Sequence, residues 1–128
     1  MRKGTLNITT IIDGNKTEVE YAAQMRLQKD SVLLTYEDGG ARVQITFENG
    51  VLQIDRQGDY QMQLTLKNGE LVSGRLGIGG QSGEVATHTQ KLTSKIKQGA
   101  WLCTAKYALL IGAQPQMTSV RMYAAVKE

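Results

Sequence analysis

The sequence predicts an all-β protein, a single antiparallel up-and-down β-barrel spanning residues 1–128, with about eight to ten strands. Three observations predict it. Asp38-Gly39, Asn49-Gly50 and Asn68-Gly69 stand between runs that alternate apolar and polar; such dipeptides favour hairpins because both central residues of a type I′ turn need positive φ. The runs keep a period of two, which a half-buried strand requires and a helix would scatter around its axis. No segment shows a helical period.

Taken in order, Leu6, Ile8 and Ile12 share one face of a first strand closed by Asp13-Gly14-Asn15. The second places Val19, Tyr21, Ala23, Met25 and Leu27 on one face, and Lys29-Asp30 turns into Val32, Leu34 and Tyr36. After Asp38-Gly39-Gly40 come Val43, Ile45 and Phe47; Asn49-Gly50 leads to Leu52, Ile54 and Arg56. Gly58-Asp59 leads to Tyr60, Met62, Leu64 and Leu66, which Asn68-Gly69 closes. Glu70 to Gly83 is less regular and rich in glycine. A long Thr- and Lys-rich strand runs from Glu84 to Ile96, then Gln98-Gly99 turns into Trp101, Cys103, Ala105, Tyr107, Leu109 and Ile111. After Gln114-Pro115-Gln116 a last strand runs from Met117 to Val126. Consecutive antiparallel strands expose two edges unless the sheet closes on itself, so a barrel is expected.

Composition narrows the class. The hydrophobic fraction of 41% and charged fraction of 21% are ordinary for a globular domain. Net charge is +3 with Lys and Arg spread along the chain, which does not amount to a nucleic-acid footprint. One cysteine, Cys103, excludes an internal disulfide and fits a reducing compartment. Met1-Arg2-Lys3 precedes no apolar signal core and no stretch has the length of a membrane helix, so a cytoplasmic bacterial protein is expected.

Between Val19 and Ile96 stand Val51-Leu52, Arg56-Gln57-Gly58, Met62, Leu71-Val72-Ser73-Gly74, Gly83-Glu84 and Thr87-His88-Thr89-Gln90-Lys91-Leu92-Thr93. In these motifs the chain resembles the YwiB-like family of small bacterial proteins. The resemblance implies a calycin-type (lipocalin-like) barrel and no activity, because the family has none assigned.

Several residues invite a functional reading. Arg121 and Tyr123 share a face of the last strand, with the spacing of the Arg-x-Tyr pair by which fatty-acid-binding proteins clamp a carboxylate; a guanidinium fork and a phenol suit that task. The opposite face, with Val120, Met122, Ala124 and Val126, is more apolar, and if it is inside the pair is merely solvated. Arg56 shares its face with Leu52 and Ile54, so it would meet either an anionic ligand or a structural Asp or Glu. Gly77-Ile78-Gly79-Gly80 precedes no helix, and a bulge or barrel corner explains it better than a phosphate cradle. His88 and Cys103 alone make no zinc site and no demonstrable nucleophile pair, so no catalytic residue, metal or cofactor is assigned. Thr87, Thr89, Lys91, Thr93 and Lys95 read as one polar face without interleaved aromatics, so no nucleic acid is expected.

The leading expectation is a non-enzymatic barrel enclosing a small, partly apolar ligand, an anionic one being one form. Tyr36, Phe47 and Met62 would line the site, with Arg56, or else Arg121 and Tyr123, at its polar end. An interior filled by side chains would leave no such site. The alternative is a protein-interaction or scaffold module with a packed core, for which a homodimer through an edge strand is one form.

Overall fold

Two-residue turns with left-handed backbone build the hairpins. In the computed structural model, which describes residues 1–112 and 114–127, Asp13-Gly14 and Asn49-Gly50 have φ of 50° and 81°, and 53° and 76°. At the turn predicted for Asp38-Gly39 the left-handed pair is Gly39-Gly40, one residue later, because Asp38 completes its strand. Gly79-Gly80 forms the same kind of turn, so the glycine-rich stretch is a hairpin and no phosphate loop. At Asn68-Gly69 only the glycine has positive φ, and the Glu70 N–H donates to the Lys67 carbonyl at 3.0 Å, which fits a type II turn.

The strands are β1 (Arg2–Ile12), β2 (Asn15–Leu27), β3 (Ser31–Asp38), β4 (Ala41–Glu48), β5 (Val51–Gln57), β6 (Tyr60–Lys67), β7 (Leu71–Ile78), β8 (Gln81–Lys97), β9 (Ala100–Ile111) and β10 (Gln114–Val126). Each pairs antiparallel with its sequence neighbours, and β1 pairs with β10 to close a ten-stranded barrel. The β1–β2, β3–β4, β5–β6 and β7–β8 turns therefore lie at one end. The expected glycine-rich irregularity resolves as the β7–β8 hairpin.

Alternate residues fill the interior. Leu6, Met25, Leu34, Ile45, Leu52, Leu66, Trp101, Cys103, Met122 and Ala124 are at most 1% exposed. Tyr36, Phe47 and Met62 pack partly buried against this core. The Trp101 indole N–H donates to Ser94 Oγ at 2.8 Å, and its ring centroid lies 6.3 Å from that of Phe47. With so few aromatics, centre filling falls to aliphatic side chains from all round the wall.

Two irregularities shape the wall. β6 pairs with β7 only as far as Gln63 opposite Arg75; beyond it the end of β6 meets β8, where Thr87 Oγ1 donates to the Thr65 carbonyl. Gly74 sits at the departure, where a Cβ would fall 2.4 Å from the Gln63 carbonyl oxygen. The second is a bulge in β8 between Thr89 and Lys91. A bulge adds one residue and so exchanges the faces beyond it. Thr87 and Thr89 are buried, whereas Lys91, Thr93 and Lys95 are exposed and Leu92 and Ile96 pack inward. The polar ladder read from the sequence as one face is thus split between interior and exterior.

Candidate functional site

Arg56 lies at the turn end of the barrel. It is 7% exposed, and its guanidinium donates from Nη1 to Asp38 at 2.9 Å and from Nη2 to Asp59 at 2.8 Å. The fold positions all three: Asp38 ends β3 ahead of its glycine turn, and Asp59 occupies the β5–β6 turn. Arg56 also stacks over Tyr60, 4.1 Å from the ring centroid. Burial works against the cation, but the hydrogen bonds to Asp59 and Asp38 and the nearby Tyr60 outweigh it, so Arg56 is held more firmly protonated than a free arginine. In return, the Arg56 hydrogen bond holds the Asp59 carboxyl below its ordinary range.

Tyr36 lies in the same row of the sheet, two strands from Arg56 through Val43, with its ring centroid 4.5 Å from that of Tyr21. Burial, then the charge of Asp38, keeps the Tyr21 phenol protonated above its usual value; burial, then the neighbouring Tyr21, does the same for Tyr36. Met62 is the cross-strand partner of Arg56 and half-buried. Phe47 belongs to the other half, beside Trp101. The structure therefore gathers Tyr36, Arg56 and Met62 but not Phe47. Both terminal nitrogens of Arg56 are committed to carboxylates, which matches the structural ion pair rather than the anion site; its Nε is buried without a partner.

Arg121 and Tyr123 are not inside. Met122 and Ala124, at 1% and 0% exposure, take the inward face of β10, so alternation turns Arg121 and Tyr123 outward. The expected carboxylate clamp inside the barrel is corrected: the apolar face won. Cys103 is buried, which pushes its thiol up to about 12, and exposed His88 is on the outer face, so the two form no nucleophile pair. Among the described residues no group of three His, Cys, Asp or Glu could hold a metal ion.

What the fold assembles instead is a basic outer wall. Across β8, β9, β10, β1 and β2 one row reads Lys91, Lys106, Ser119, Ile11 and Lys16; the next reads Thr93, Thr104, Arg121, Thr9 and Glu18. A third reads Lys95, Leu102, Tyr123, Asn7 and Glu20, so the acids of the wall are confined to β2. A groove of about 470 Å³ runs here, lined by Lys16, Lys91, Lys106 and Arg121 together with hydroxyl side chains and the apolar Ile11, Ala105 and Val120, with no carboxylate in its lining. Among the described residues no carboxylate lies within ion-pair distance of Lys91, Lys95, Lys106 or Arg121. Lys91 directly faces Lys106, and like charges opposite one another in a sheet are destabilising. Such a local conflict is expected where a surface serves binding rather than stability.

Sequence reasoning missed this wall by treating the cations as evenly spread. The signal was the distribution of acids: from Val85 to Lys127 the chain has six Lys and Arg and no Asp or Glu, while eleven of twelve acids precede it. A second signal was the apolar parity of β8, where Val85 and then Leu92 and Ile96 cannot share a face without an extra residue between.

Topology and site together define the class as a closed, ten-stranded antiparallel barrel with a packed centre and a basic wall. The chain belongs to the DUF1934 family, described as a domain of unknown function, whose family model matches residues 5–122. It is similar to the crystal structure of ywiB protein from Bacillus subtilis, with 16% identity over 99% of this chain and 93% of that one and a TM-score of 0.82. That likeness shows the fold, as the YwiB-like motifs led us to expect. No curated protein matches the chain. No helix among the described residues is long and apolar enough to cross a membrane.

Proposed function

We propose that this protein is a non-enzymatic binding module that engages an anionic partner through its outer wall, the barrel core serving as a rigid scaffold. The observation that carries this reading is the acid-free groove lined by Lys16, Lys91, Lys106 and Arg121. Lys16 pairs with Glu18 at 3.1 Å, but Lys91, Lys106 and Arg121 have no such partner among the described residues, and three cations on one wall create a local positive potential above what a net charge of +3 implies if spread evenly. The packed core supports the same reading, since its central residues leave no water-sized void against them. The experiment is retention on an immobilised polyanion under a salt gradient. Lys91→Gln with Lys106→Gln should elute at clearly lower salt, while Arg42→Gln with Lys67→Gln, exposed on β4 and β6 across the barrel, should barely move. Equal shifts for both pairs would defeat the reading.

One observation favours a second reading, the small interior ligand. Arg56 Nε, Thr89 Oγ1 and Thr118 Oγ1 are buried without hydrogen-bond partners, and Thr89 and Thr118 flank Tyr107 in one row. A small polar molecule reaching that row could satisfy the two threonine hydroxyls. Native mass spectrometry of gently purified protein distinguishes the two: a stoichiometric released metabolite supports the interior site, and a clean apo mass removes it.

A further inference from the structure

Building on the basic-wall reading, we infer that the partner is a single-stranded nucleic acid, its phosphates tracking the cationic rows and a base stacking on Tyr123. After its bulge, β8 presents Lys91, Thr93, Lys95 and Lys97 outward in succession. Alternate residues of a strand recur at about 7 Å, an interval comparable to that between successive phosphates of an extended single strand. Every step offers a cation or a hydroxyl, and Thr104, Lys106 and Arg121 repeat the pattern on the two neighbouring strands. A linear track of evenly spaced donors suits a polymer of evenly spaced anions better than a compact one.

Charge alone would fit any polyanion. The second feature is the row in which Tyr123, 38% exposed and pointing outward, lies beside Leu102 and one step along its strand from Arg121. An aromatic ring facing solvent beside a cationic track is the arrangement by which single strands are held without sequence preference. A duplex hides its base faces in the stack and would leave Tyr123 unused, and an acidic peptide has no use for a stacking surface.

The test is fluorescence anisotropy with a labelled mixed-sequence 12-nucleotide single-stranded RNA, titrated with salt from 50 mM. With three to four phosphates neutralised, log K against log salt should slope about −2 to −3. Lys91→Gln with Lys106→Gln should flatten that slope by about 1.4, while Tyr123→Ala should weaken binding roughly 5- to 100-fold without changing the slope. Both sets replace outward side chains, and unchanged circular dichroism would confirm the fold. Absence of binding at 50 mM salt, or binding indifferent to Tyr123→Ala, overturns the inference. If the RNA fails but poly-glutamate or vesicles of anionic lipid bind and lose binding with Lys91→Gln and Lys106→Gln, the inference falls and the basic-wall reading stands. If no polyanion binds, both fall.

Discussion

Reversing one charge in the basic wall should make the protein more stable and a poorer binder. Lys91 and Lys106 are direct cross-strand partners on the outer face of β8 and β9, so their Cβ atoms lie about 5 Å apart. Their ammonium groups splay further, to about 8 Å, where two unit charges at a water-like dielectric repel by about 0.5 kcal/mol. Lys106→Glu removes that repulsion and replaces it with an attraction of similar size, a change of about 1 kcal/mol at low ionic strength. For a chain of this length that corresponds to a rise in Tm of roughly 3–5 °C. Lys106→Gln, which removes the repulsion and adds nothing, should give about half. Thermal unfolding followed by circular dichroism at 10 mM salt and at 1 M salt is the assay. The gain should largely vanish at 1 M, where the screening length falls to about 3 Å. Polyanion retention should drop in the same variant. A Tm that falls at low salt, or a gain that persists undiminished at 1 M, would refute the reasoning. It would mean that Lys91 does not face Lys106, and hence that the bulge does not turn it outward.

Three further outcomes follow from the geometry. Trp101 is fully buried, so Trp101→Ala should cost about 3–5 kcal/mol, read as a large fall in the urea midpoint by circular dichroism. At the turn end, Asp38→Asn with Asp59→Asn should destabilise more than Arg56→Met, because the first strands a buried guanidinium whereas the second leaves two carboxylates that water solvates; the reverse order of midpoints would show that the ion pair is not buried as described. Burial pushes the Cys103 thiol up to about 12 and also raises Tyr107. The unfolded thiol ionises from about pH 8.5 while the folded one keeps its proton, so stability is complete below that range and is lost as pH rises toward 12. Cys103→Ala should lessen the loss, and a thiol reagent at pH 8 should label Cys103 only after unfolding.

What could be read from the residues followed from local physics. Alternation along Val43–Phe47 and Tyr60–Leu66 and the glycine turns are properties of neighbours in the chain, and they determined the strands, the up-and-down order and most of the core. The Arg56 face was legible for the same reason, since Leu52 and Ile54 share it, though not its ion pairing with Asp38 and Asp59.

The orientation of the last strand hung on which face the rest of the barrel would bury. Only the closed sheet settled it, by placing Met122 and Ala124 against the core and turning Arg121 and Tyr123 to the outside. The basic wall is tertiary in the same sense. Lys16, Lys91, Lys106 and Arg121 come from four strands, and they meet because β10 closes onto β1 and a single extra residue in β8 exchanges its faces. By itself the sequence determined a barrel whose stretch from Val85 to Lys127 carries no acid. Closure and register decided where those charges point, because a strand's period of two leaves inside and outside undefined until its neighbours are in place.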